Sequence, residues 1–206
     1  TISAVKDRLR LVETARDLGV PVPRTRLLDE WRERNQRAVV KSRYSILTDD
    51  GAAFYPQVQY LSPGDVPDRT AITDGMGHVP VVQEHVDGGR EQGFFALYDR
   101  GEPVATFQHE RIRSGTYPGG ASVYRTAVRD EDVAQYGHAL LDHLDWHGPA
   151  MVEFRRDADG TPVLMEINPR FWGSLTLPVV AGIDFPALYY RLATGSLVGP
   201  PQTYQT

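Results

Sequence analysis

Residues 149–170 read PAMVEFRRDADGTPVLMEINPR, and this stretch constrains the fold more tightly than any other. Two runs with alternating apolar residues flank Asp157-Ala158-Asp159-Gly160. An Asp-Gly pair in that position predicts a tight antiparallel hairpin. With Asp159 and Gly160 as a two-residue loop, Ala158 faces Thr161 and Glu153 falls opposite Glu166. Side chains alternate along a strand, so Asn168 lies on the Glu166 face. A four-residue loop leaves the three groups as diagonal neighbours on that face, whereas a three-residue loop separates them.

Two carboxylates directly opposite, about 4.5–5.5 Å apart at their Cβ atoms, repel each other and weaken a sheet. A divalent cation offsets that repulsion. Mg²⁺ and Mn²⁺ prefer hard oxygen donors, and two carboxylates plus an amide oxygen leave positions open for water and nucleotide phosphates. The competing readings are a solvated strand face or a Glu pair matched by Arg155 and Arg170.

The segment MVEFRRDADGTPVLMEINPRFWGS resembles the metal-binding hairpin of the ATP-grasp superfamily. The resemblance implies an α+β ATP-grasp fold, with two α+β lobes, a nucleotide cleft between them and an antiparallel sheet in the C-terminal lobe. By position it makes Glu153, Glu166 and Asn168 ligands of Mg²⁺ (or Mn²⁺) on ATP. Arg170 becomes a contact to phosphate or to a reaction intermediate. Other pieces of the pattern follow in order. Lys41, ending AVVK, matches the small-lobe lysine on the phosphates, where an ammonium acts as a movable point charge. VVQEHVDGGRE matches the adenine hinge, with backbone groups near Glu84, His85 and Val86 on the base and Glu91 on the ribose hydroxyls. Arg8, in the opening helix, matches a basic residue that approaches the nucleotide. Arg111 and Arg113 alternate on a strand, where relatives place an arginine that holds a carboxylate or acyl phosphate bidentately.

The chain departs from the pattern after Lys41. SRYSILTDDGAAFYP carries only Gly51, where a glycine-rich phosphate cover is usual, so Ser42, Ser45 and backbone amides are the candidates to replace it. A second glycine-rich loop, SGTYPGGAS, follows Arg113.

A chain of 206 residues is long enough for one sizeable domain or two small lobes. Its formal net charge of -5 gives no general attraction to nucleic acid or anionic membrane, so phosphate must be met by locally placed cations. The absence of cysteine excludes disulfides, thiolate nucleophiles and Cys-ligated zinc, and suits a cytoplasmic protein. No apolar run is long enough to span a membrane. No Ser, His and Asp set has a spacing that suggests nucleophilic catalysis. His138, His143 and His147 lack the i, i+4 spacing of a helical zinc site and read as solvated.

Periodicity predicts a helix over 4–18 with Ser3 as N-cap, a second over 130–146, and two short helices after Ser174 and Asp184. Strands are expected at PVPRTRLL, AVVK, VPVVQEHV, ASVYRTAV and on either side of Asp99-Arg100-Gly101. The domain expectation is a leading helix and strand over 1–36, a small lobe and hinge over 37–87, and a large lobe over 88–206. Within the small lobe, 42–78 is expected to be loop-rich and mobile.

The resemblance implies an ADP-forming carboxylate-amine (or carboxylate-thiol) ligase working through an acyl phosphate, on small-molecule carboxylate and amine substrates. Full enzymes of this kind carry a further N-terminal α/β substrate domain. The chain is therefore expected to be a catalytic core that could lack part of its substrate site, and a homodimer is compatible with it. The alternatives are an ATP-grasp kinase or carboxylase subunit, and a nucleotide-binding module without turnover.

Overall fold

The computed structural model describes residues 2–45, 47–49, 52–54, 58–114, 122–196, 199, 202 and 204. The chain divides into two compact units, one over 2–87 and one over 88–206.

The first unit opens with two helices where one is predicted. Helix α1 covers Ile2–Lys6 and α2 covers Arg8–Asp17. Asp7 interrupts them in an extended conformation, and its carboxylate caps α2 through the N–H groups of Leu9 and Arg10. The Arg43 guanidinium holds the same carboxylate at 2.7 Å. Four strands, β1 (Thr25–Leu27), β2 (Ala38–Lys41), β5 (Gln59–Leu61) and β6 (Val81–Glu84), form an antiparallel sheet in the order β1-β6-β2-β5. β3 (Leu47–Asp49) and β4 (Ala52–Phe54) make a separate hairpin. The segment read as loop-rich also contains helix α3 (Arg69–Met76), capped by Asp68. One face of the sheet is sealed by Leu28, Trp31, Ala38, Val40, Leu61 and Val82, with Ile72 and Val79 packed against them.

The second unit is built on a five-stranded antiparallel sheet in the order β11-β10-β7-β8-β9. Its strands are β7 (Glu91–Asp99), β8 (Glu102–Ser114), β9 (Ser122–Ala127), β10 (Gly148–Arg156) and β11 (Pro162–Asn168). Helix α4 (Glu131–His143) covers one face. Its Gly137 lies so close to the Phe94 ring that a Cβ there would sit 2.4 Å from it. His138, read as solvated, is half-buried on this face, with Nδ1 2.6 Å from the Tyr98 hydroxyl. The other face packs under α5 (Thr176–Val180), α6 (Phe185–Ala193) and the C-terminal Tyr204. Trp172 stacks on Phe95 with ring centroids 4.6 Å apart, and Tyr204 lies 4.6 Å from Phe107. These faces alternate along β10, which buries Ala150, Val152 and Phe154 towards α4 and turns Met151, Glu153 and Arg155 the other way.

The hairpin reaches the expected facing by a different route. Asp157 N–H donates to the Thr161 carbonyl at 3.0 Å, so three residues, 158–160, form the loop. Gly160 supplies the positive φ of 85° that such a loop requires. Near this loop the pairs are Arg156↔Pro162, Arg155↔Val163 and Phe154↔Leu164. The next pair is Glu153↔Glu166, because Met165 is an extra residue on β11. That bulge moves the later side chains to the opposite face and undoes the separation that a three-residue loop would have caused.

Candidate functional site

The antiparallel register lays out two adjacent rows across the sheet of the second unit, on the face away from α4. One row runs Glu166, Glu153, Gly93, His109 and Ala127. Beside it run Arg155, Glu91, Arg111 and Arg125. Asn168 enters two pairs further along, on the same face, opposite Met151.

Glu153 and Glu166 are close enough to share a hydrogen bond, and the Asn168 amide Nδ2 donates to Glu166 Oε1 at 2.8 Å. Burial raises the pKa of the Glu153 carboxyl well above the usual carboxylate range, and the charge and hydrogen bond of Glu166 raise it further. Arg111 pulls in the opposite direction and does not compensate. The ring of Phe95 accounts for part of this apolar setting. It occupies the space a side chain at 93 would take, since a Cβ there would lie 2.4 Å from Phe95 Cζ.

The donor chemistry fits a hard divalent cation. Two carboxylates and an amide oxygen share one face, and a positive ion would relieve the repulsion that disfavours the charged form of Glu153. Among the described residues no group of three or more His, Cys, Asp or Glu side chains is arranged as a metal cage. A cation held by these three groups would keep coordination positions for water or for a ligand's oxygens.

Arg155 and Arg170, the alternative partners for the Glu pair, do other things. Arg155 and Arg111 both pair with Glu91, which sits between them in its row. Arg170 is exposed, and its guanidinium donates to the Phe171 carbonyl at 2.9 Å. Glu91 is thus an arginine-flanked carboxylate in this unit. Arg113 pairs with Tyr124 after an irregularity in the β8–β9 register. Gly119 and Gly120, from the second glycine-rich loop, lie outside the described residues.

His109 is a site-face residue that the sequence reading did not single out. It is 6% exposed, stacks on Phe95 at 4.4 Å, and has Nδ1 3.4 Å from Ser174 Oγ. Burial, with the charges of Arg125 and Arg111, pushes its pKa down to about 3, so the imidazole is neutral at any physiological pH. The available signal was the alternation in QHERIR, which puts His109 on the face of Arg111. Arg125 had no comparable signal, because only the β8–β9 register brings it beside Arg111.

In the first unit, Lys41 Nζ donates to Gln83 Oε1 at 2.9 Å, and Gln83 Nε2 donates to Thr25 Oγ1 at 3.0 Å. Arg8 reaches the adjoining segment, with its guanidinium 2.8 Å from the Ser42 carbonyl. The Ser42 hydroxyl is buried and engaged with Tyr44 and His78, and the Ser45 N–H donates to Lys6. Glu84 takes Arg24 on both carboxylate oxygens, at 2.8 and 3.2 Å. The N–H groups of Glu84 and His85 are held by the carbonyls of Arg24 and Arg37. His85 Nδ1 lies 2.9 Å from Asp87.

Solved structures share this architecture. An ADP complex of PurK, N5-carboxyaminoimidazole ribonucleotide synthetase, matches with a TM-score of 0.69 at 16% identity, over 92% of this chain and 52% of that one. L-amino acid ligase from Bacillus licheniformis matches at 0.65 and 18% identity, over 95% and 50%. The biotin carboxylase domain dimer of Hydrogenobacter thermophilus 2-oxoglutarate carboxylase, in complex with MgADP, ADP and bicarbonate, matches at 0.73 and 15%, over 98% and 48%. The chain spans about half the length of each. A comparison with curated proteins finds no match. The fold, two antiparallel sheets with helices in an α+β arrangement, is the ATP-grasp fold. Within that superfamily the chain belongs to the family described as ATP-grasp in the biosynthetic pathway with Ter operon, whose model matches residues 96–206, more than half of the chain.

Proposed function

We propose that the chain is the nucleotide-binding core of an ADP-forming ligase that joins a small carboxylic acid to an amine, or to a thiol, through an acyl phosphate. The observation that carries this reading is the placement of Glu153, Glu166 and Asn168 on one face, beside a row of arginines. Glu153, Glu166 and Asn168 would hold Mg²⁺ or Mn²⁺, and the chemistry that cation would supply is neutralisation of the charge on ATP phosphates. Lys41 and Arg8 direct positive charge at phosphate oxygens. The backbone at Glu84, His85 and Val86 reads the adenine edge, and Glu91 accepts from ribose hydroxyls.

Arg111, Arg113 and Arg170 orient the acceptor carboxylate and stabilise the charge that develops as the phosphoryl group passes to it. A guanidinium fork suits this role because it meets a carboxylate or phosphate with two parallel hydrogen bonds. The amine then attacks the acyl carbon and phosphate leaves, so no protein nucleophile takes part. His109, neutral and buried beside the row, offers an uncharged wall. The carboxylate and amine substrates, residues beyond this chain that complete their site, and a cytoplasmic location belong to the same proposal.

The test is ADP release from Mg-ATP across a panel of carboxylates and amines, with Glu166→Gln as the control. ADP release that needs both a carboxylate and an amine, and is lost in Glu166→Gln, supports the reading. Equal release from the variant refutes the metal role. A phosphorylated acid formed with no amine requirement favours a kinase.

A further inference from the structure

The first unit encloses a cavity of about 500 Å³ on the face of its sheet opposite Lys41. Lys41 and Val39 point to one side of β2, and Ala38 and Val40 to the other. The cavity reaches Ala38 and its cross-strand partner Leu61. Gln83, which holds Lys41, pairs with Val39 and so belongs to the Lys41 side. The walls are the irregular segment 31–36, the turn at Ser62–Asp65 and the start of α3.

Each acid that lines the cavity already accepts from a backbone N–H of the chain. Asp65 accepts from Ser62 at 2.7 Å, Asp68 caps α3 at Ala71 at 3.0 Å, and Glu33 accepts from Arg32 at 3.2 Å. The guanidinium groups of Arg32 and Arg69 instead donate to the neutral carbonyls of Asp29 and Trp31. Those bonds use a few of five N–H donors each. Arg34 lines the cavity with an exposed side chain.

Gln36 decides what kind of ligand fits. Its Oε1 accepts from the Arg24 guanidinium at 3.1 Å, which fixes the amide orientation. The Nε2 group is then buried with no acceptor. Such a donor costs about 1–3 kcal/mol while it stays unmatched. A cavity of this volume falls in the size range of small-molecule sites.

We propose that this cavity binds a small organic acid. The carboxylate sits on Gln36 Nε2 and the Arg34 guanidinium, and the hydrocarbon part lies against Trp31, Leu61, Val66 and Pro67. A monoanion fits better than a phosphate dianion, because the lining arginines 32, 34 and 69 are balanced by Glu33, Asp65 and Asp68. The site does not depend on the nucleotide chemistry proposed above, since it lies on the other side of the sheet from Lys41.

The experiment is a two-dimensional NMR titration of the ¹⁵N-labelled chain with hexanoate, hexanol and inorganic phosphate. Hexanoate is expected to give saturable shifts within residues 31–38 and 61–69, including the Gln36 side-chain amide. Hexanol, with the same apolar body, should bind about tenfold more weakly or worse, since it leaves the charged donors unmatched. Gln36→Glu keeps the acceptor for Arg24 but replaces the donor by a carboxylate oxygen that repels the ligand's, and should weaken hexanoate by about tenfold or more. Arg34→Met, at an exposed position, gives an independent loss if the first variant folds poorly. Absence of saturable shifts, equal binding of hexanol, preferred binding of phosphate, or hexanoate binding unchanged in both variants would each overturn the proposal.

Discussion

Glu153 and Glu166 stand directly opposite each other across β10 and β11 because Met165 is an extra, unpaired residue between Glu166 and Leu164. Leu164 packs on the α4 side as the partner of Phe154, so in an unbulged strand Glu166 and Asn168 would face that apolar layer too. Deleting Met165 removes the extra residue, so Glu166 follows Leu164 directly and regular alternation keeps it on the site face opposite Glu153. Unfolding in urea should show a loss of no more than about 2 kcal/mol, as it should for Met165→Ala, which keeps the extra residue. A loss of more than about 4 kcal/mol on deletion, the range of burying an unmatched charge, would refute this account of the bulge.

The half-buried Glu153 carboxyl makes stability fall as pH rises. Its folded pKa is raised above the ordinary value of 4.5. Between the two values the folded chain holds a proton that the unfolded chain has released, so stability is lost on going up through that window. Glu153→Gln removes the titration and should be more stable than the parent at pH 8 by about 1–3 kcal/mol, and close to it at pH 4. Melting curves at the two pH values check this.

A divalent cation bound at Glu153 must displace that proton. The rise in melting temperature on adding MgCl₂ or MnCl₂ with nucleotide should therefore be larger at pH 8 than at pH 6. It should vanish in Glu166→Gln at both. A cation effect independent of pH, or one that survives in Glu166→Gln, would place the metal elsewhere.

Asp130 acts in the opposite sense. It caps α4 at Val133, pairs with Arg156 and accepts from Gln92. Burial alone would raise its pKa, but the Val133 N–H and Arg156 outweigh it and hold the carboxyl below 3.8. A depressed pKa contributes stability above the unfolded value, and that contribution is lost as pH falls through the folded one. Asp130→Asn should flatten the acid limb of the stability curve below about pH 4. Asp130→Ala should cost about 3–5 kcal/mol near neutrality, because it strands Arg156 and uncaps the helix.

Gly137→Ala sets two effects against each other. The change favours a helix interior by up to about 1 kcal/mol, but the new Cβ would meet the buried Phe94 ring at 2.4 Å. Overpacking of that kind costs about 1–3 kcal/mol, so net destabilisation is expected in denaturant melts. Adding Phe94→Leu should recover part of it. Strict additivity of the two changes would contradict the clash.

Local chemistry made much of this molecule legible in its residues. Apolar alternation and the Asp-Gly turn are properties of neighbours in the chain, so they announced the hairpin and the shared face of Glu166 and Asn168. The apolar spacing of α4 and α6 did the same for those helices, with Asp130 and Asp184 as caps. Misreadings arose where a side chain's partner is remote. Asp7 splits the first helix partly because Arg43 holds its carboxylate, and no spacing within residues 4–18 reveals that. His138 leaves solvent because the Tyr98 hydroxyl waits on a strand 40 residues away.

The sequence by itself determined which groups can do chemistry and which of them lie on one side of their own strand, because backbone alternation is local. Tertiary structure alone decided that a three-residue loop and a bulge at Met165 combine to return Glu166 to Glu153, since bulge placement answers to packing on both faces of the sheet. It also decided that Gly93 and His109 continue the Glu153 row while Glu91 lies between Arg155 and Arg111. Those relations join strands far apart in the chain, and only cross-strand registers connect them.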